Sequence, residues 1–160
     1  MTELIHLDAA ALRAIAHPLR SRLLAQLRLH GPATATELAA VLDTNTGATS
    51  YHLRKLEAVG LVSDTGTGAG KRRVWRAASR GHEWRPSEFA GDPESEASVA
   101  WLTRHQQAIL AERVERWAEQ QHDWPARWRG ALGAGDDAGR ITAGQAEAPC
   151  AELRAVIRRY

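Results

Sequence analysis

The sequence predicts a mainly α-helical protein with one small β-hairpin and a long helical C-terminal half. Three observations predict this class. Apolar residues recur at helical spacing along most of the chain, as in Leu19, Leu23, Leu24 and Leu27. Helix-start signals precede these runs: Asp8, Thr34 with Glu37, Asn45, Asp92-Pro93, and Thr142 with Gln145. One stretch, Leu61 to Ala77, breaks the pattern with a glycine-rich middle between two segments of strand character.

Each element has its own reasons. Asp8 caps a first helix whose Leu12, Ile15 and Ala16 share a face. His17-Pro18 interrupts it, and Pro18 suits the first position of the next helix, where a missing N–H costs nothing. Gly31-Pro32 stops that helix. Thr34 and Glu37 form a capping box for a short helix packed through Leu38, Ala39 and Leu42. Ala39 is small enough to let the next helix cross closely. Asp43-Thr44 makes the turn. Asn45 caps the following helix, and Gly60 closes it with a left-handed residue free of a Cβ clash. Thr49, Leu53 and Leu56 share the inner face of that helix. Gly47, Ala48, Tyr51, Arg54, Lys55 and Ala58 occupy the opposite, polar and basic face. A hairpin follows: a strand near Leu61 to Thr65, a tip from Gly66 to Gly70, and a return strand from Lys71 to Ala77.

Residues 82–91 read as irregular, with Trp84, Pro86 and Phe89. Asp92-Pro93-Glu94 then starts a helix expected to run to Gln121 or His122. At about 28 residues it spans roughly 42 Å. Val99, Leu102, Ile109, Leu110, Val114 and Trp117 form its apolar stripe. So long a helix is hard to bury within one small chain, which points to pairing with a second copy. Trp124 to Leu132 reads as a short helix and Gly133 to Gly139 as a loop. A last helix carries Ala146, Cys150, Leu153, Ile157 and Tyr160 as a seam. Pro149 within it predicts a kink or a later start. Cys150, Leu153 and Ile157 join the stripe as expected dimer-interface residues.

Composition bounds the function. A chain of 160 residues with 44% hydrophobic content can fold a core. No run of about 18 apolar residues exists, so no membrane-spanning helix is expected. MTELIHLDAA lacks the pattern of a secretion signal. A single cysteine excludes an intrachain disulfide and fits the cytoplasm. Residues 1–80 carry eleven Lys/Arg against six Asp/Glu, whereas residues 81–160 carry ten against thirteen. Only the first half is therefore expected to face a polyanion. The expected domains are a DNA-binding region over 1–80 and a helical dimerisation region, with room for an effector, over 81–160.

Two helices joined by a tight turn, preceded by two more and followed by a basic hairpin, describe a winged helix-turn-helix. The segments RAIAHPLRSRLLAQL, ATELAAVLDTNTGATSYHLRKLEAVGLV and GKRRVWRA resemble the ArsR-type bacterial regulators, over about residues 8–78. The resemblance implies a homodimer that binds operator DNA and usually represses. It implies that Thr46, Ser50, Tyr51 and Arg54 enter the major groove. Two positions depart from the family pattern: Asp43 stands where glycine is common, and Thr44 where an aliphatic residue is usual. Asp tolerates a left-handed turn better than most residues, so the turn should survive.

The expected DNA-binding residues are Asn45, Thr46, Ser50, Tyr51, Arg54 and Lys55 on the helix, with Lys71, Arg72 and Arg73 on the wing. A solvated helix face and a merely soluble hairpin tip are the alternatives. His52, at the edge of the apolar face, reads as structural. Gly66 to Lys71 is no phosphate loop, because Thr65 and Arg72 stand where glycine and Ser/Thr are required and a strand follows. Many ArsR-type proteins sense metals, often through cysteines in the first helix of the motif, but Glu37 to Leu42 has none. His105, Glu112 and His122 are too far apart along one helix to share an ion within a chain. No metal or other cofactor is expected. Cys150 reads as a buried core or interface residue, with a redox bridge as the sharper alternative. Trp84, Trp101, Trp117, Trp124 and Trp128 read as core fillers before they read as an aromatic ligand pocket. Nothing suggests catalysis. The expected partners are double-stranded operator DNA and a second copy, with no membrane, and any effector stays open. The rival readings are a winged helix used for protein–protein contact and a ligand- or metal-responsive sensor.

Overall fold

Local hydrogen bonds set the limits of the helices. The computed structural model describes residues 2–68, 70, 72–131 and 139–159. Two units divide the chain, Met1–Ala108 and Ile109–Tyr160.

In the first unit the order is β1 (Thr2–His6), α1 (Ala9–Ile15), α2 (Pro18–His30), β2 (Ala33–Thr34), α3 (Ala35–Val41), α4 (Thr46–Glu57), β3 (Val62–Asp64), β4 (Val74–Ala77) and β5 (Ser79–Glu83). A 3-10 turn at Pro86–Phe89 leads to α5 (Pro93–Gln120), which continues into the second unit. This is a winged helix-turn-helix. Asp8 caps α1 by accepting from the Ala11 N–H at 2.8 Å. Thr34 and Glu37 make both bonds of the capping box on α3. Asp43 takes φ of 50°, the left-handed turn expected between α3 and α4. Gly60 takes φ of 71° after α4.

The HPLR segment closes the α1–α2 corner. His17 is the N-cap of α2, its Nδ1 accepting from the Leu19 N–H. The Arg20 guanidinium donates to the carbonyls of Arg13 and Ala14, and Ser21 Oγ donates to that of Ile15. The Arg13 and Ala14 carbonyls at the C-terminal end of α1 are thus satisfied, and the Ile15 carbonyl, which also accepts from the His17 N–H, gains a second bond.

The wing is an antiparallel sheet in the order β2-β4-β3, with Ala33 opposite Trp75, and Val62 opposite Ala77. Its paired strands are shorter than the sequence suggests, because pairing stops at Asp64 and resumes at Val74. Lys71 and part of the hairpin tip lie outside the described residues. Residues 79–83, within and beside the stretch read as irregular, form β5, which pairs in parallel with β1. There Leu4 lies opposite Gly81, and a Cβ on Gly81 would come within 2.6 Å of Leu4 Cδ2. Arg28 fastens α2 to β5, donating to the Ser79 carbonyl, Ser79 Oγ and His82 Nδ1 at 3.1, 3.2 and 2.7 Å. Burial lowers the Arg28 pKa to about 10 and, with Arg28 adding, that of His82 to about 4.

The core gathers Leu7, Leu12, Ile15, Leu23, Leu24, Leu27, Leu53, Leu56, Leu61 and Trp75, all buried. Each leucine withdrawn from water contributes about 2 kcal/mol. Phe89 and Leu102 join this cluster, so the first unit extends well past residue 80. Arg13 reaches Asp92 and Ser95 Oγ, at 3.0 and 2.9 Å, and so holds the start of α5 to α1.

The second unit contains the end of α5, a 3-10 turn at Gln121–Asp123, α6 (Ala126–Ala131) and α7 (Ala143–Arg158). Thr142 and Gln145 make the expected capping box. Pro149 lies inside α7, which runs continuously as one helix rather than starting later. Residues 132–138, most of the expected glycine loop, and Tyr160 lie outside the described residues. No described helix is long and apolar enough to cross a membrane.

Candidate nucleic-acid interface

Helix α4 presents its residues in two registers. Thr49, Leu53 and Leu56 are buried against the core, as the spacing predicts. The Thr49 hydroxyl is buried with no hydrogen-bond partner among the described residues. On the far side Asn45, Thr46, Gly47, Tyr51, Arg54 and Lys55 are exposed and Ser50 is partly so. Asn45 holds the start of the helix by accepting from the Ala48 N–H at 2.7 Å.

The exposed face splits into two rows. Thr46, Ser50 and Arg54, four residues apart, line a groove of about 430 Å³. Its other walls are Thr34, Thr36 and Glu37 from the start of α3, and Arg72, Arg73 and Trp75 from the hairpin. The second row holds Gly47, Tyr51 and Lys55. Lys55 Nζ lies 5.6 Å from the centre of the Tyr51 ring, and Tyr51 is 54% exposed. A lysine beside an exposed phenol can reach both a phosphate and a base edge.

The wing arginines differ. Arg73 is paired with Glu57 at 3.1 Å and Asp64 at 3.5 Å, and lies over Trp75 at 5.4 Å. Arg72 is exposed and faces Glu37. Hydrogen bonds from the Thr34 N–H and hydroxyl hold the Glu37 carboxyl below its ordinary range, with Arg72 adding to them. Arg76 donates to Ser63 Oγ at 3.1 Å.

His52 stands behind this face. Its ring lies 4.5 Å from that of His17 and meets Tyr51 edge-on. Its Nδ1 is buried without a partner among the described residues. Burial, then His17 and Arg20, lower its pKa, and burial followed by Arg20 lowers that of His17. The pair joins the cap of α2 to α4.

The sequence marked the helix residues and the wing arginines but missed Thr34, Thr36, Glu37 and Trp75 as walls of the groove. The capping box was the only signal for the first three. Nothing in the sequence set Arg73, engaged by two carboxylates, apart from Arg72.

The residues expected at a dimer interface separate by burial. Leu102 is 2% exposed and sits in the chain's own core, which corrects its placement on a stripe facing a second copy. Val99 packs against the same core. Ile109 and Trp117 are half-buried, and Leu110 and Val114 are exposed. Cys150, Leu153 and Ile157 are exposed, so Cys150 is no core residue of the single chain. Trp117, Trp124 and Trp128 pack edge-to-face in series, while Trp84 stacks on His82 and Trp101 on His105. Among the described residues no three His, Cys, Asp or Glu side chains are grouped to hold a metal ion.

Residues 15–65 match a family model described as a helix-turn-helix domain. The chain carries a helix-turn-helix domain. The matched span covers α2 to β3 of this domain. Among solved structures, the chain is similar to the homodimeric winged helix-turn-helix DNA-binding domain, fragment 1–100, of a possible ArsR-family transcriptional regulator from Mycobacterium bovis. The identity is 23% over 65% of this chain and 78% of that one, with a TM-score of 0.41. No curated protein matches the sequence.

Proposed function

We propose that this protein is a homodimeric, sequence-specific DNA-binding transcriptional regulator of ArsR type, acting in the cytoplasm and most simply as a repressor. The observation that carries the reading is the continuity of the exposed face of α4 with the groove to the wing. Thr46, Ser50, Tyr51, Arg54 and Lys55 offer hydroxyls, a phenol and two cations on a helix narrow enough for the major groove. Arg54 and Arg72 stand on opposite sides of the groove beside it, where a phosphate backbone would run. Two such helices, one per copy, would enter successive major grooves about 34 Å apart on an inverted repeat.

Fluorescence anisotropy with labelled duplexes at several salt concentrations tests this. Affinity should fall steeply with salt. Arg54→Ala should weaken binding to a selected site more than to random DNA. Equal losses on both would make Arg54 a phosphate contact only. Salt-independent binding, or none to any duplex, would refute the reading.

A further inference from the structure

We propose that α7 is a dimerisation helix that pairs antiparallel with α7 of a second copy, centred between residues 151 and 152. The proposal specifies the surface of the dimer inferred above and rests on the homodimeric part of that reading, not on DNA binding.

The first observation is a missing core. No described residue of the unit Ile109–Tyr160 is buried. Yet α7 is a 16-residue helix with a completed capping box. A lone helix of that length is marginal in water and draws its stability from packing an apolar face. Its seam lies open: Leu153 is 63% exposed and Ile157 65%.

The second observation is charge order. At about 100° per residue, Ala146, Cys150, Leu153 and Ile157 fall within a strip about 60° wide, with the 4-3-4 spacing of a coiled-coil seam. Glu147 and Arg154 lie on the same flank of that strip, seven residues apart and so about 10 Å along the axis. Within one chain they are too far apart to meet. Antiparallel pairing about the centre of the seam sets Cys150 opposite the partner's Leu153 and Ala146 opposite the partner's Ile157. It also brings Glu147 to within about 3 Å, along the axis, of the level of the partner's Arg154. The two-fold axis repeats that pair, so each interface holds two. Parallel pairing would instead put this flank of the two helices on opposite sides of the seam, facing the partner's Pro149 and the partner's Val156, with no charge pair. The flank is complementary to a second copy of itself in one direction only.

In this arrangement the two Cys150 residues are offset by three residues, or about 4.5 Å, across helices about 9 Å apart. With each Cα about 2.3 Å off its axis on the facing side, the Cα–Cα separation is roughly 6 to 7 Å, at the limit that a disulfide tolerates. Cys150 therefore marks the interface, at the edge of bridging distance from its mate.

Sedimentation equilibrium of the full chain without DNA tests the pairing. The parent should be a dimer. Glu147→Arg and Arg154→Glu should each raise the dimer dissociation constant about tenfold, since each places two like-charge pairs across the axis. The double exchange should return it to within about twofold of the parent. A short bis-maleimide should link the parent through Cys150, its single cysteine. Single variants that dimerise like the parent, or a double exchange without recovery, would overturn the proposal while leaving a dimer through another surface. A monomeric parent would overturn it together with the homodimeric reading. DNA binding, measured separately by anisotropy, reports on the regulator reading alone.

Discussion

Arg72 and Arg73 are neighbours with different surroundings. Arg73 already has two carboxylates, Glu57 and Asp64, so DNA would have to compete for it. Arg72 faces the capped Glu37 across the groove and has no ion pair with a carboxylate within 4 Å among the described residues. Arg72→Ala should therefore lower the salt slope of DNA binding by about one, whereas Arg73→Ala should change it by much less. Equal changes would remove the distinction. Thr49 gives a second prediction at this scale. Its buried hydroxyl has no partner among the described residues, so Thr49→Val keeps the shape and removes an unsatisfied group. The variant should be more stable by about 1 kcal/mol, read as a higher midpoint in urea; a lower one would reveal a hidden partner. His82 gives a third. The Arg28 guanidinium can only donate, so His82 Nδ1 accepts and the ring stays neutral down to about pH 4 when folded. Unfolded, it takes a proton near pH 6.5. Between these values the unfolded state binds the extra proton. Stability is full above about 6.5 and falls by roughly 1 kcal/mol per pH unit down to about 4. His17 and His52 act in the same direction. His82→Gln should flatten part of this fall; an unchanged profile would assign it elsewhere.

Among the elements, α4 depends on its inner face more than on its cap. Leu53 is fully buried between helices, so Leu53→Ala should cost about 3 kcal/mol. Asn45→Ala, which removes only the cap on α4, should cost about 1 kcal/mol. Thermal melts of the two variants order these effects, and a reversed order would contradict the packing described. The same contrast explains what was legible in the sequence. Helix starts were readable because a cap is a local event: Asp8, Thr34, Asn45 and Thr142 each bond an N–H three residues on. The positive φ of Asp43 followed from the tight turn for the same reason. The β1–β5 pairing was not readable, since its partners lie about 77 residues apart and neither strand alternates strongly. The role of Leu102 was missed because a helical stripe shows which residues share a face, not which surface covers them. The groove was half legible: α4 announced itself, but Glu37 and Trp75 reach it only through the fold.

For the whole molecule, the charge asymmetry and the architecture agree. The basic half holds α4 and the wing, and the mildly acidic half holds α6 and α7. A mildly acidic region is suited to joining copies, and a basic one to meeting phosphates. In the function proposed above, α4 and the wing read a DNA sequence as a two-fold pair. Selection of genomic fragments by the purified protein at near-physiological salt, followed by sequencing, tests it most directly. The recovered fragments should share an inverted repeat with half-sites about one helical turn apart, centre to centre. Random fragments, or none, would contradict it.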